Sequence, residues 1–239
     1  MTADGYSGAL GVLGGMGPSA SAGFLQTVYE AAAEQSGSFA EQTLPRCLLD
    51  SDPAFPDRTE VIRTGGEVEF TARLARRLAG LEELGATRIV VACVTAHHFL
   101  DRLEPARRTR LISLVDVILD ELEAVGAGER LLLVASHGTR DARVFERTTR
   151  WPTVAHRVVL PGPEVQETLH QLLYRLKSEP ATDEISTRFL RIAAEHGCRG
   201  LIAGCTEAHL LTRRLRGGEH RIIDPLLTIA TQLKSLLAE

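Results

Sequence analysis

Short, wholly apolar runs alternate with longer amphipathic ones along this chain, and the order repeats once. An apolar run at 9–13 leads through Gly14-Gly15-Met16-Gly17-Pro18 into a helix expected over about 19–34. Pro18 suits the first turn of that helix, where no backbone N–H is required. A strand over 44–49, a loop carrying Pro56-Asp57-Arg58-Thr59 and one long helix over 60–84 are expected next. A Gly85-Ala86 turn then delivers a strand at 88–91, a helix over 96–103, a strand near 111 and a helix over 115–125. The pattern starts again with a strand at 130–135, Ser136-His137-Gly138-Thr139 and a helix running to about 149. A strand over 156–160, helices over 163–177 and 183–196, strands at 200–203 and 221–223, and a terminal helix after Asp224-Pro225 complete it.

Strands that alternate with helices of this length predict an α/β fold with parallel sheets and right-handed crossovers. The repeat predicts two pseudo-symmetric domains, each a parallel sheet flanked by helices, with residues 1–113 in the first and 114–223 in the second. No linker rich in Gly, Ser or Pro separates them, so the halves are expected to pack closely around a cleft, a common place for ligands.

Within this frame two segments are variants of one phrase. Val91-Ala92-Cys93-Val94-Thr95-Ala96-His97-His98 and Ala203-Gly204-Cys205-Thr206-Glu207-Ala208-His209 each follow an apolar strand and precede a helix. Each cysteine is therefore expected at the carboxyl end of a buried parallel strand, where open α/β sheets build their sites. The following helix start favours a thiolate. Two such thiols facing one ligand could take a proton from one side of a carbon and return one to the other. Thr95 and Thr206 put a hydroxyl near each thiol, and Glu207 could accept a proton or hold an ammonium group. Arg58 offers a planar cation for a carboxylate, and the Gly15-Met16-Gly17 loop offers N–H groups to an anion. His97, His98 and His209 could tune the thiols or sit on helix surfaces.

Composition narrows the field. The chain has 239 residues, a net charge of -4, and 24% charged and 5% aromatic residues, which suits an ordinary globular protein rather than a disordered or fibrous one. It carries no basic footprint for nucleic acid and no apolar run approaching a membrane span. Residues 1–7 lack the charged-then-apolar pattern of a secretory leader, so a cytoplasmic location is expected. The four cysteines form no C-x-x-C pair, which argues against a disulfide scaffold or a zinc knuckle, and Cys47 and Cys198 read as small apolar fillers. Gly14-Gly15-Met16-Gly17 does not follow G-x-G-x-x-G, and no Walker lysine is present.

Taken in order, Gly14-Gly15-Met16-Gly17-Pro18, Pro56-Asp57-Arg58-Thr59, Cys93-x-Thr95-Ala96-His97, Gly138-Thr139, Gly204-Cys205-Thr206-Glu207 and Asp224-Pro225 resemble the aspartate/glutamate racemase superfamily, in its cofactor-independent aspartate racemase branch. The resemblance implies racemisation of aspartate or glutamate in the cleft, with Cys93 and Cys205 as the acid/base pair and no pyridoxal lysine, other cofactor or metal. It implies that Arg58 binds a carboxylate, that Lys177 is a second cationic anchor, and that the glycine loop, Thr95, Thr139 and Thr206 complete the anion cradle. It further implies a homodimer, and a terminal helix (224–239) that returns to the N-terminal domain. Two positions depart from the family pattern. Val94 stands where an Asn is usual, and Ser136-His137 stand where Ala-Thr is usual. Loss of the amide suggests an alternative: a carbon-acid isomerase, decarboxylase or lyase whose substrate lacks an ammonium group.

Overall fold

The structure is a computed structural model that describes residues 5–37, 40–126, 128–215 and 217–238. Residues 1–4 of the segment examined for a leader, and residue 239 of the terminal helix, lie outside the described residues. The first half runs β1 (Ala9–Gly14), α1 (Pro18–Ser36), β2 (Arg46–Ser51), α2 (Arg58–Thr64), α3 (Glu67–Glu83), β3 (Arg88–Val91), α4 (His97–Leu100), α5 (Pro105–Arg108), β4 (Leu111–Ile112) and α6 (Leu114–Glu123). The second runs β5 (Leu131–Val134), α7 (His137–Asp141), α8 (Trp151–Val154), β6 (Val158–Val159), α9 (Pro163–Ser178), α10 (Asp183–Glu195), β7 (Gly200–Ala203), α11 (His209–Thr212), β8 (Arg221–Ile223) and α12 (Pro225–Leu236).

The strands form two parallel sheets with the same order, β2-β1-β3-β4 and β6-β5-β7-β8, so β3 and β7 hold equivalent places. Both faces of each sheet are covered, which explains why the inner strands β1, β5 and β7 are apolar and buried at every position. Leu10, Val12 and Val90 of one sheet and Leu131, Leu133 and Ile202 of the other share a single core with α6 and α12. On its other face the first sheet packs Leu13, Ile89 and Val91 against Leu74 and Leu78 of α3. The second sheet likewise packs Leu132, Val134 and Leu201 against α9 and α10. Burying each such leucine or isoleucine stabilises the fold by about 1.5–3 kcal/mol. Among the described residues no helix is long and apolar enough to cross a membrane.

Several elements differ from the sequence expectation, each for a local reason. The single helix expected over 60–84 is two helices, because Gly65 takes a left-handed φ of 76° and caps α2. The helix expected to reach 149 stops at Asp141, and Arg143, at φ 51°, turns the chain away. The strand expected over 156–160 is only the two-residue edge strand Val158–Val159, in keeping with the short edges that sheets favour.

α12 packs on α1 and α6, and a buried polar cluster ties down its first turn. Asp224 Oδ1 accepts from the N–H groups of Leu226 and Leu227 at 3.0 and 3.3 Å. Its Oδ2 accepts from His209 Nδ1 at 2.7 Å and from the Thr212 hydroxyl at 2.6 Å. His209 Nε2 lies 2.9 Å from Thr27 Oγ1 on α1. Burial alone would raise the Asp224 carboxyl, but His209, Thr212 and the helix N–H groups outweigh it and hold it below its ordinary value. Asp224→Ala removes the helix cap and strands His209, so a loss of at least about 3 kcal/mol is expected, read as a lower urea midpoint. Because the folded carboxyl is the more acidic one, its contribution is complete above about pH 4 and disappears as the pH falls below that. The stability gap between wild type and variant is therefore expected to narrow in acid.

Candidate active site

Cys93 and Cys205 each stand two residues beyond the last residue of β3 and β7, Val91 and Ala203. In both turns the cysteine carbonyl accepts from the N–H three residues on, Ala96 at 3.2 Å and Ala208 at 3.0 Å. The repeated phrase is thus a repeated backbone turn that projects a thiol from the carboxyl end of a buried strand. Both thiols line one narrow, partly open cavity of about 10 Å³ together with Met16, Asp57, Arg58, Thr59, Thr95, Ser136, Tyr174, Lys177 and Glu207. Both cysteines are buried, at 5% and 8% exposure, so chemistry between them is shielded from bulk water.

The two thiols have different neighbours. The Cys205 thiol donates to Glu207 Oε2 at 2.8 Å. Burial, and then the Glu207 carboxylate, push Cys205 well above the ordinary thiol value. Glu207 is itself buried, and among the described residues its Oε1 has no hydrogen-bond partner. Gly17 makes room for it, since a Cβ there would lie 2.5 Å from Oε1. Cys93 lies on the Arg58 side. Arg58 is buried and donates through Nη1 to the Pro56 carbonyl at 2.9 Å and through Nη2 to the Met16 carbonyl at 2.7 Å. Its Nε is unpartnered among the described residues. Burial opposes the Arg58 charge, but Cys93, Asp57 and Glu207 outweigh it and raise its pKa. Lys177 follows the same pattern, with burial overcome by Glu207, Tyr174 and Cys205.

Of the residues expected from sequence, Cys93, Cys205, Met16, Arg58, Thr95, Lys177 and Glu207 line the cavity, whereas Gly15, Gly17, Thr139 and Thr206 stand behind it. The Gly15 N–H is already donated to the Ser21 hydroxyl at 3.2 Å. Thr206 donates to the Ala92 carbonyl at 3.2 Å and so ties the Cys205 turn to the strand end that carries Cys93. Thr139 lies 2.8 Å from Thr95 Oγ1, and Ser136 Oγ lies 3.1 Å from the same atom. These three hydroxyls form a buried triangle whose Thr95 and Ser136 corners face the cavity. Asp57, Thr59, Ser136 and Tyr174 also line the cavity but are not among the site residues expected from sequence, although the first three fall in its motifs. Tyr174 could have been expected, because three residues before Lys177 on a helix is the same face.

The histidines and Val94 serve other ends than the sequence suggested. His97 Nε2 accepts the Leu114 N–H at 3.0 Å, so its proton sits on Nδ1, which donates to the Cys93 carbonyl at 3.0 Å. Full burial lowers its pKa, and it acts as a neutral strut between the Cys93 turn and α6. His98 pairs with Glu67 and Arg147 outside the cavity, and His209 belongs to the Asp224 cluster. Val94 is 1% exposed, lies in the core shared by the two sheets and does not line the cavity. A larger open groove beside His97 and His98 holds neither thiol. Among the described residues no group of three His, Cys, Asp or Glu side chains could hold a metal ion.

A model of the Asp/Glu/hydantoin racemase family matches residues 13–233. The aspartate racemase of Picrophilus torridus is similar at 19% identity, over 97% of this chain and 100% of that one, with a TM-score of 0.73. Glutamate racemase from Francisella tularensis subsp. tularensis SCHU S4, solved with D-glutamate, is similar at 16% identity over 99% of this chain and 82% of that one, with a TM-score of 0.64. The allantoin racemase of Klebsiella pneumoniae is similar at 15% identity over 97% of this chain and 88% of that one, with a TM-score of 0.57. At these identities the likeness is one of fold.

If Glu207 helps to hold the Cys205 proton, Glu207→Gln should let that thiol ionise at lower pH, though burial will still keep it above the ordinary value. Iodoacetamide labelling of Cys205, followed by mass spectrometry across pH, is expected to begin at lower pH in the variant. An unchanged profile would sever the link between the two groups.

Proposed function

The chain belongs to the Asp/Glu/hydantoin racemase family, and from that premise we propose that it racemises an acidic amino acid, aspartate or glutamate, without a cofactor. The observation that carries this reading is the content of the cavity. Two thiols from equivalent strand ends share it with two cations, Arg58 and Lys177, and two acids, Asp57 and Glu207. A dicarboxylic amino acid brings two negative groups and one positive group, and this lining complements both signs. The unpartnered Glu207 Oε1 is an acceptor suited to an ammonium group, since an unmet buried acceptor costs about 1–3 kcal/mol. A diacid lacking nitrogen would leave it unmet.

In one direction Cys93 takes the Cα proton while Cys205, held as a thiol, delivers one to the opposite face. Arg58, beside Cys93, balances the charge that Cys93 carries as the base. In the other direction Cys205 must first give up its proton, and Glu207, 2.8 Å away, is placed to receive it. The carbanion between these steps needs fixed positive charge and little water, conditions that Arg58, Lys177 and burial supply.

Incubation with L- or D-aspartate and glutamate in D2O, with no cofactor added, tests the reading by proton NMR and chiral chromatography. Loss of the Cα–H signal together with formation of the opposite enantiomer is expected. Cys93→Ala and Cys205→Ala should each lower racemisation about 10²–10⁴-fold, the range of a lost acid/base group. Full racemisation by either variant would refute the two-thiol mechanism, and no exchange on any acidic amino acid would refute the substrate class.

A further inference from the structure

Asp57 is a carboxylate in the cavity lining that the proton transfers do not use. Its Oδ1 is committed to capping α2, accepting from the N–H groups of Thr59 at 2.9 Å and Glu60 at 3.2 Å. Its Oδ2 reaches across to α9, where it accepts from the Tyr174 hydroxyl at 2.7 Å and lies 3.5 Å from Lys177 Nζ. Lys177 Nζ in turn sits 3.5 Å over the Tyr174 ring. A phenol hydroxyl and an ammonium group converging on one oxygen make a carboxylate site, and in this structure the protein's own carboxylate fills it.

We propose that Asp57 is a specificity-determining residue that holds, in the empty enzyme, the place on Lys177 and Tyr174 that the second carboxylate of the substrate takes on binding. The inference rests on the acidic-substrate reading above and adds to it a residue that selects for the second acid group. The exchange keeps Lys177 paired throughout, which matters because a cation that has lost much of its hydration to partial burial is costly to leave alone. The displaced Oδ2 can turn to water, since the Asp57 side chain is 37% exposed, while Oδ1 keeps its helix cap. A ligand with one carboxylate has nothing to offer Lys177 and leaves Asp57 in place. A ligand with two can compete for it, so discrimination arises from competition as well as attraction.

Asp57→Asn keeps an oxygen for the α2 cap but removes the competing charge. Calorimetric titration of wild type and variant with succinate and with butyrate, neither of which can racemise, separates the second carboxylate from the first. Succinate is expected to bind about tenfold tighter to Asp57→Asn, a change typical of one close charge pair, with butyrate unchanged. The gain should vanish in Asp57→Asn/Lys177→Met, and thermal melting of each variant checks that the fold survives. Equal tightening for both ligands, no tightening for succinate, or a gain that persists without Lys177 would each overturn the proposal, even if D2O exchange confirms the racemase. Failure of every protein to bind succinate would overturn it together with the acidic-substrate reading.

Discussion

A charged group taken out of water must find an opposite charge, and most of what is specific about this molecule follows from that rule. Two cations and two carboxylates are gathered in one cavity, with Arg58 and Asp57 supplied by the first half and Lys177 and Glu207 by the second. None of them is buried in isolation: Lys177 has Asp57 at 3.5 Å, and Arg58 has Cys93, Asp57 and Glu207 as its charge partners. Closing the halves on each other is therefore also what pairs the charges. The buried Asp224 carboxylate likewise does not stand alone: His209, Thr212 and two helix N–H groups hydrogen-bond it and fasten the start of α12.

The geometry beneath is that of two similar sheets with their β3 and β7 strand ends turned toward one space. Similar turns after those strands, each closed by the cysteine carbonyl three residues back, present a thiol from each half. Symmetry stops at the thiols. Burial and an acidic neighbour raise the pKa of Cys205, whereas Cys93 lies beside a guanidinium. Under the proposed racemisation, which must run in both directions, these unequal settings give each direction its own proton path.

Residues that look reactive in a sequence are often holding the reactive ones still. His97 spends both ring nitrogens on backbone groups, and one of these is the Cys93 carbonyl. Thr206, adjacent to a thiol, hydrogen-bonds the Ala92 carbonyl in the other half. Val94 shows the converse, since a position that looked like a substrate contact faces the core shared by the sheets.

The sequence by itself determined the fold class, the doubled order of strands, both cysteines and about half of the remaining polar cavity lining. These are local facts: apolar runs have the lengths of strands and helices, and a strand end followed by a helix start is a site by construction. It also carried the family, through an ordered set of short motifs. The break at Gly65 in the helix expected over 60–84 has a local signal, since a Gly-Gly pair marks a turn, but the amphipathic period that runs across it masks that signal. Only the tertiary structure decided which side chains converge. Asp57 and Tyr174 lie 117 residues apart and meet at 2.7 Å only because the two halves close on each other. The same closure chose among histidines of one residue type, making His97 and His209 buried ties and leaving the cavity to two thiols, two cations and two acids.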